Sequence, residues 1–89
     1  MRSRIRTEIT SHILDSANGG ATKTKIIYTA VLSYSQLNEY FSMLIENNLI
    51  EYLDGTNKFK TTEKGLFFLK IHNEIGELLQ QTTKENNKS

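Results

Sequence analysis

The chain has 89 residues, with 11 Lys and Arg against 10 Asp and Glu, two His, no Cys and no Pro. That length supports one small domain with a thin core, which assembly can reinforce. The missing Cys excludes a disulfide framework and a thiolate metal site, no apolar run reaches the roughly 18 residues of a membrane span, and the N-terminus lacks the apolar stretch of a signal peptide, so a soluble intracellular protein is expected.

The formal charge of +1 is unevenly spread. Arg2, Arg4, Arg6, Lys23 and Lys25 outnumber Glu8 and Asp15 in the first third, and Lys58, Lys60, Lys64 and Lys70 outnumber Glu51, Asp54 and Glu63 over 51–70. Between them, residues 31–50 hold only Glu39 and Glu46. Positive charge therefore flanks a central segment that lacks it.

Residues 1–4 are basic and expected to fray. From Arg4 to Ala17, the residues Ile5, Ile9, Ile13, Leu14 and Ala17 recur on one helical face. Asn18-Gly19-Gly20 stops this helix, since glycine takes the left-handed conformation without a Cβ penalty. Thr22 or Thr24 can cap a second helix with Ile26, Ile27 and Ala30 inward and Lys23 and Lys25 in its first turn. Val31-Leu32 forms a turn. Ser33-x-x-Gln36 is a capping box that starts a third helix over 33–47. Its inward stripe is Leu37, Phe41, Leu44, Ile45 and Asn48; Ser35, Asn38, Glu39 and Ser42 lie opposite. Asn47-Asn48 closes it.

Leu49–Leu53 and Lys58–Thr61 have strand character, and Asp54-Gly55-Thr56-Asn57 between them reads as a hairpin turn. Thr62 caps the last helix, with Glu63 in its positive first turn. This helix is expected to reach about Thr83, roughly 30 Å at 1.5 Å per residue. Leu66 and Leu69 are assigned to the core. Phe68, Ile71, Ile75, Leu78 and Thr82 form a second stripe of coiled-coil spacing, joined by Leu79.

Two motifs stand out: Lys23-Thr24-Lys25-Ile26-Ile27-Tyr28 followed by Ala30-x-Leu32-Ser33-Tyr34, and Phe59-x-x-Thr62-Glu63-Lys64-Gly65. Together, over roughly residues 5–80, they resemble an archaeal family of small winged helix-turn-helix DNA-binding proteins. Some of its members are predicted transcriptional regulators. Others, from Sulfolobus, are chromatin proteins that dimerise through an antiparallel coiled coil of their last helices. The resemblance implies a mainly α fold with a small β-hairpin, the wing, and a long C-terminal dimerisation helix. It divides the chain into a DNA-binding domain over 1–62, a core-closing and dimerising helix over 63–83, and a disordered tail over 84–89.

It also implies double-stranded DNA and a second copy of the chain as partners, in the cytoplasm on the nucleoid. The third helix would enter the major groove with Tyr34, Ser35, Gln36, Asn38, Glu39 and Ser42. There Asn38 has the chemistry to pair with adenine and Glu39 to accept from cytosine. Phosphates would be held by Arg4, Arg6, Lys23, Lys25, Lys58 and Lys60; simple edge protection is the other reading of Lys58 and Lys60, and ordinary basic residues of a disordered end that of Arg4 and Arg6. Tyr28 is assigned to packing at the helix–helix junction. Where relatives can carry basic residues on the third helix, this chain has Glu39 and Ser42, which suits discrimination between bases better than electrostatic grip. The dimer interface would comprise Phe68, Ile71, Ile75, Leu78 and Leu79.

His12 and His72 lie far apart in the chain without partners at metal-ligand spacing, so no metal is expected. No nucleophile–base pair, carboxylate dyad or phosphate-cradling glycine loop is present, so neither enzymatic activity nor a cofactor is expected. The alternative reading is a protein-interaction module that uses the same scaffold without DNA.

Overall fold

A computed structural model describes residues 6–88, with side chains described as far as Leu79. The order is α1 (Arg6–Ser16), α2 (Lys23–Ala30), α3 (Tyr34–Glu46), β1 (Ile50–Leu53), β2 (Lys58–Thr61) and α4 (Glu63–Lys88). Expectations for Arg2, Arg4 and Ile5 lie outside the described residues, and those for Thr82 and the tail 84–89 fall beyond the described side chains.

Helix α1 buries Ile9, Ile13 and Leu14, with Ala17 just past its end. Thr10 and Ser11 are also buried, and Ser11 Oγ donates to the Glu8 carbonyl at 2.8 Å. Gly19 and Gly20 follow with φ of 87° and 109°, a conformation that turns the chain sharply toward α2. Thr22, not Thr24, caps α2 by accepting from the Lys25 N–H at 3.2 Å. Val31 then takes φ 56° and ψ 61°. A β-branched residue in the left-handed region costs about 1–2 kcal/mol, and here it makes the corner between α2 and α3.

The capping box of α3 forms in full: Ser33 Oγ accepts from the Gln36 N–H and Gln36 Oε1 accepts from the Ser33 N–H, each at 3.1 Å. The buried stripe is Leu37, Tyr40, Phe41 and Leu44. This corrects two inward assignments. Ile45 is 45% exposed, because Leu37 and Leu44 centre the stripe, Tyr40 and Phe41 flank it, and Ile45 lies beyond Phe41 at its edge. Asn48 leaves the stripe because the helix ends at Glu46 and Asn48 adopts φ 61°.

Strands β1 and β2 pair antiparallel, with Tyr52 opposite Phe59 and Glu51 opposite Lys60. The Asp54–Asn57 turn is tied by the Thr56 N–H to the Leu53 carbonyl at 3.1 Å. A further pairing lies outside the hairpin. Ala21 and Phe59 exchange both backbone hydrogen bonds at 2.8 Å, which fastens the start of the helix-turn-helix to β2. Phe59 then lies with its ring centroid 4.8 Å from that of Phe41 in α3 and 5.1 Å from that of Tyr52.

The exit from β2 joins the layers. Buried Thr61 donates its hydroxyl to the Leu14 carbonyl at 2.6 Å and its N–H to the Ala17 carbonyl at 3.2 Å. Thr62 Oγ1 accepts from the Gly65 N–H at 3.1 Å and donates to the Asn48 carbonyl at 2.6 Å. Lys64 Nζ reaches the Asn47 carbonyl at 2.9 Å. At Gly65 a Cβ would run into the Leu49 carbonyl oxygen and sit 2.6 Å from Thr61 Cγ2.

This close approach decides which face of α4 lies inward. Leu69, four residues on, is buried, and Phe68 is half-buried against the core. Leu66, turned about 100° from Gly65, is 41% exposed rather than closing the core. Phe68, assigned by spacing to the outer stripe, thus packs against the core of the domain. Beyond Leu69, Ile71, Ile75, Leu78 and Leu79 are exposed.

Replacing Gly65 with Ala is expected to destabilise the protein by about 1–3 kcal/mol through overpacking, read as a lower urea midpoint at unchanged slope. Val31→Gly is expected to act oppositely, stabilising by about 1 kcal/mol as the left-handed strain is relieved, because Val31 is 77% exposed and loses little packing.

Candidate nucleic-acid interface

The outer face of α3 is a polar strip. Ser35, Asn38, Glu39 and Ser42 are all exposed, at the i, i+3, i+4, i+7 spacing of one face. The core stripe behind them fixes the rotation of the helix, and the capping box fixes its first turn. Tyr34 and Gln36 are exposed at the N-terminal end of α3. Gln36 is only partly available as a reader, since its Oε1 is committed to the Ser33 N–H.

The basic residues divide into those brought against α3 and those held apart from it. Lys23, half-buried at the start of α2, donates from Nζ to Asn38 Oδ1 at 3.2 Å and lies 5.4 Å from the Phe41 ring centroid. Arg6, at the start of α1, lies 5.5 Å from the centre of the Tyr40 ring. Lys25 is exposed on α2. Lys58 and Lys60 are exposed on the face of β2 opposite Phe59, and since Phe59 packs on Phe41, they point away from α3. Glu51 stands across from Lys60 in the register, which offsets the repulsion of two like charges on one strand face. Lys58 stands across from Leu53 and has no such offset. Among the described residues the single ion pair is Lys70–Glu74 at 3.4 Å, on α4. None of Lys23, Lys25, Lys58 and Lys60 is therefore neutralised by a carboxylate within salt-bridge distance among the described residues.

Tyr28 departs from its assignment to packing. It is 84% exposed, because on α2 it projects opposite the Ile26 and Ala30 face that enters the core. The spacing of those two residues carries that signal. With Val31 and Tyr34, also exposed, Tyr28 gives the helix-turn-helix corner an apolar and aromatic surface.

His12 and His72, distant in sequence, line one cleft of about 200 Å³ between α1 and α4 together with Asp15. Among the described residues no group of three or more His, Asp or Glu side chains has the geometry to hold a metal ion. His72 instead stacks on Phe68, with ring centroids 6.0 Å apart and planes 14° from parallel. Among the described residues no helix is long and apolar enough to cross a membrane.

This architecture has counterparts among known proteins. No curated protein matches the sequence. Among solved structures, the crystal structure of Sso10a-2, a DNA-binding protein from Sulfolobus solfataricus, matches 96% of this chain and 92% of its own, with a TM-score of 0.81 at 21% identity. At that identity the likeness establishes a shared fold: four helices, a two-stranded wing and a long last helix. A sequence model of the winged helix-turn-helix family matches residues 2–84. Taken with the helix-turn-helix of α2 and α3 and the β1–β2 hairpin, that match shows that the chain belongs to the winged helix-turn-helix family.

Proposed function

We propose that the protein is a homodimeric double-stranded-DNA-binding protein acting as a transcriptional regulator on the nucleoid. The observation that carries this reading is the exposed polar face of α3, rigidly capped and flanked by lysines that no carboxylate neutralises among the described residues. In this fold such a face enters the major groove, while phosphate contacts orient it. Ser35, Asn38, Glu39 and Ser42 read base edges; Tyr34 and the free amide end of Gln36 border the groove. Lys25, Lys58, Lys60 and Arg6 hold phosphates.

With three or four phosphate contacts from each protomer, a dimer makes about six to eight, and log K is expected to fall with log[salt] at a slope of about −5 to −7. A mobility-shift titration at several salt concentrations measures it; a slope near zero would remove DNA as the partner. In the double variant Lys25→Glu, Lys58→Glu, binding weakens similarly on all sequences and the slope becomes shallower by about 3–4 units.

Dimerisation draws on α4. Ile71, Ile75, Leu78 and Leu79 are exposed at coiled-coil spacing. Ile71, Ile75 and Leu79, with Phe68 and Gly76, flank an apolar groove of about 380 Å³ against Thr7 and Glu8 of α1. Each such side chain is worth roughly 1.5–3 kcal/mol when buried, so a second α4 laid along this face has a strong drive to associate. The Ile71→Asp, Ile75→Asp variant is expected to halve the mass seen by light scattering while keeping the helical circular dichroism of the protomer. An unchanged mass would place the interface elsewhere.

A second reading, recognition of a protein through the helix-turn-helix corner, draws on exposed Tyr28, Val31 and Tyr34. Retained partner binding in the Lys25→Glu, Lys58→Glu variant, with no duplex binding by the unsubstituted protein, would favour it.

A further inference from the structure

We propose that Lys23 is a positioning residue for base recognition: it holds the Asn38 carboxamide so that Asn38 presents donors to the groove and favours keto bases, guanine and thymine, over adenine. This deepens the DNA-binding reading and rests on it.

The argument begins with the chemistry of the contact. An ammonium group has three donors and no acceptor. Its partner on Asn38, at 3.2 Å, is therefore the amide oxygen, and the amide cannot turn over without setting NH₂ against NH₃⁺. Lys23 is itself confined. It is half-buried at the first turn of α2, just after the Thr22 cap, and its ammonium lies 5.4 Å from the Phe41 ring centroid. The Phe41 ring is packed against Phe59 of the wing. A side chain restrained by a hydrogen bond and an aromatic face has little reach left for a phosphate. Lys25, two residues on, is exposed and has no such tether among the described residues.

The consequence falls on Asn38. Bidentate recognition of adenine needs both ends of the carboxamide on one base: the oxygen accepting from N6 and the nitrogen donating to N7. The oxygen keeps a second lone pair, but a donor that reached it would lie beside the Lys23 ammonium, whose charge disfavours the adenine N6 and cytosine N4 donors there and favours base acceptors. On the exposed strip the NH₂ group, without a partner among the described residues, remains an available donor. Donors in the major groove suit guanine O6 and N7 or thymine O4, and meet another donor at adenine N6 or cytosine N4.

Two measurements test this. In the free protein, the Asn38 side-chain ¹⁵N–¹H₂ signals should shift in Lys23→Met, which keeps the apolar stem over Phe41 but removes the donors, and shift far less in Lys23→Arg; unmoved signals in Lys23→Met would overturn the contact. Selection from a random duplex pool then reads the base preference. The unsubstituted protein and Lys23→Arg should favour guanine or thymine at one position by about fivefold or more. Lys23→Met should move that position toward adenine with its salt slope unchanged, and Asn38→Ala should flatten it. If Lys23→Met instead keeps the original preference and its slope becomes shallower by about two units for the dimer, Lys23 is a phosphate contact and the proposal fails, while DNA binding stands. If the unsubstituted protein binds no duplex, the DNA reading falls and this proposal with it.

Discussion

The fold depends on how β2 hands the chain to α4. Within five residues, Thr61 bonds to α1 and the residue after it, Thr62 spans Asn48 and Gly65, Lys64 reaches the end of α3, and Gly65 lets α4 pass against the Leu49 backbone. The Thr61, Lys64 and Thr62 hydroxyl bonds satisfy carbonyls at the end of a helix or beside a turn, and the Gly65 N–H, an orphan donor in the first turn of α4, is satisfied by the Thr62 hydroxyl. Because the approach at Gly65 leaves no room for a side chain, it also fixes the rotation of α4. Leu69 goes into the core, and the Ile71, Ile75, Leu78 and Leu79 face is left outside. The exposure of this apolar face is in this sense a consequence of one glycine.

A second tie acts at the other end of the hairpin. The Ala21–Phe59 exchange couples the first residue after the glycine turn to the middle of β2, and the Phe59 ring continues the link into α3 through Phe41. The wing and the helix-turn-helix are thus one rigid unit, although only short strands support the wing. The same geometry keeps the wing lysines apart from the polar face of α3. Lys58 and Lys60 project from the face opposite Phe59, and α3 carries none of the lysines. In the proposed complex, affinity comes from the flanks and discrimination from the α3 strip, and pairing through α4 doubles the phosphate contacts without adding any lysine to α3 itself.

Strain and exposure concentrate at the α2–α3 corner. Val31 holds a left-handed backbone that glycine or asparagine would take more readily, and Tyr28 and Tyr34 lie exposed to either side of it in sequence. Backbone strain of this kind persists where the surrounding caps over-determine it. Here those are the Ile27 carbonyl, which accepts at the end of α2, and the Ser33–Gln36 capping box at the start of α3.

By itself the sequence determined the element order, the Gly19-Gly20 stop, the Ser33–Gln36 box, the Asp54-Gly55 turn and the exposed strip of α3. These rest on interactions within a few residues, or on periodicity, and both are local. The burial of Tyr40 in place of Ile45, the exposure of Leu66, and the packing of Phe68 against the core were settled by tertiary structure, because a stripe two residues wide can rotate until a neighbouring element fixes it. Tyr28 could have been placed from its helical phase, but its aromatic character suggested burial. The Lys23–Asn38 contact, the Ala21–Phe59 pairing and the meeting of His12 with His72 join positions more than a dozen residues apart, and no local rule specifies such distances. Only the packed arrangement decides them, and it converts Lys23 from one more positive charge into a restraint on the side chain beside it.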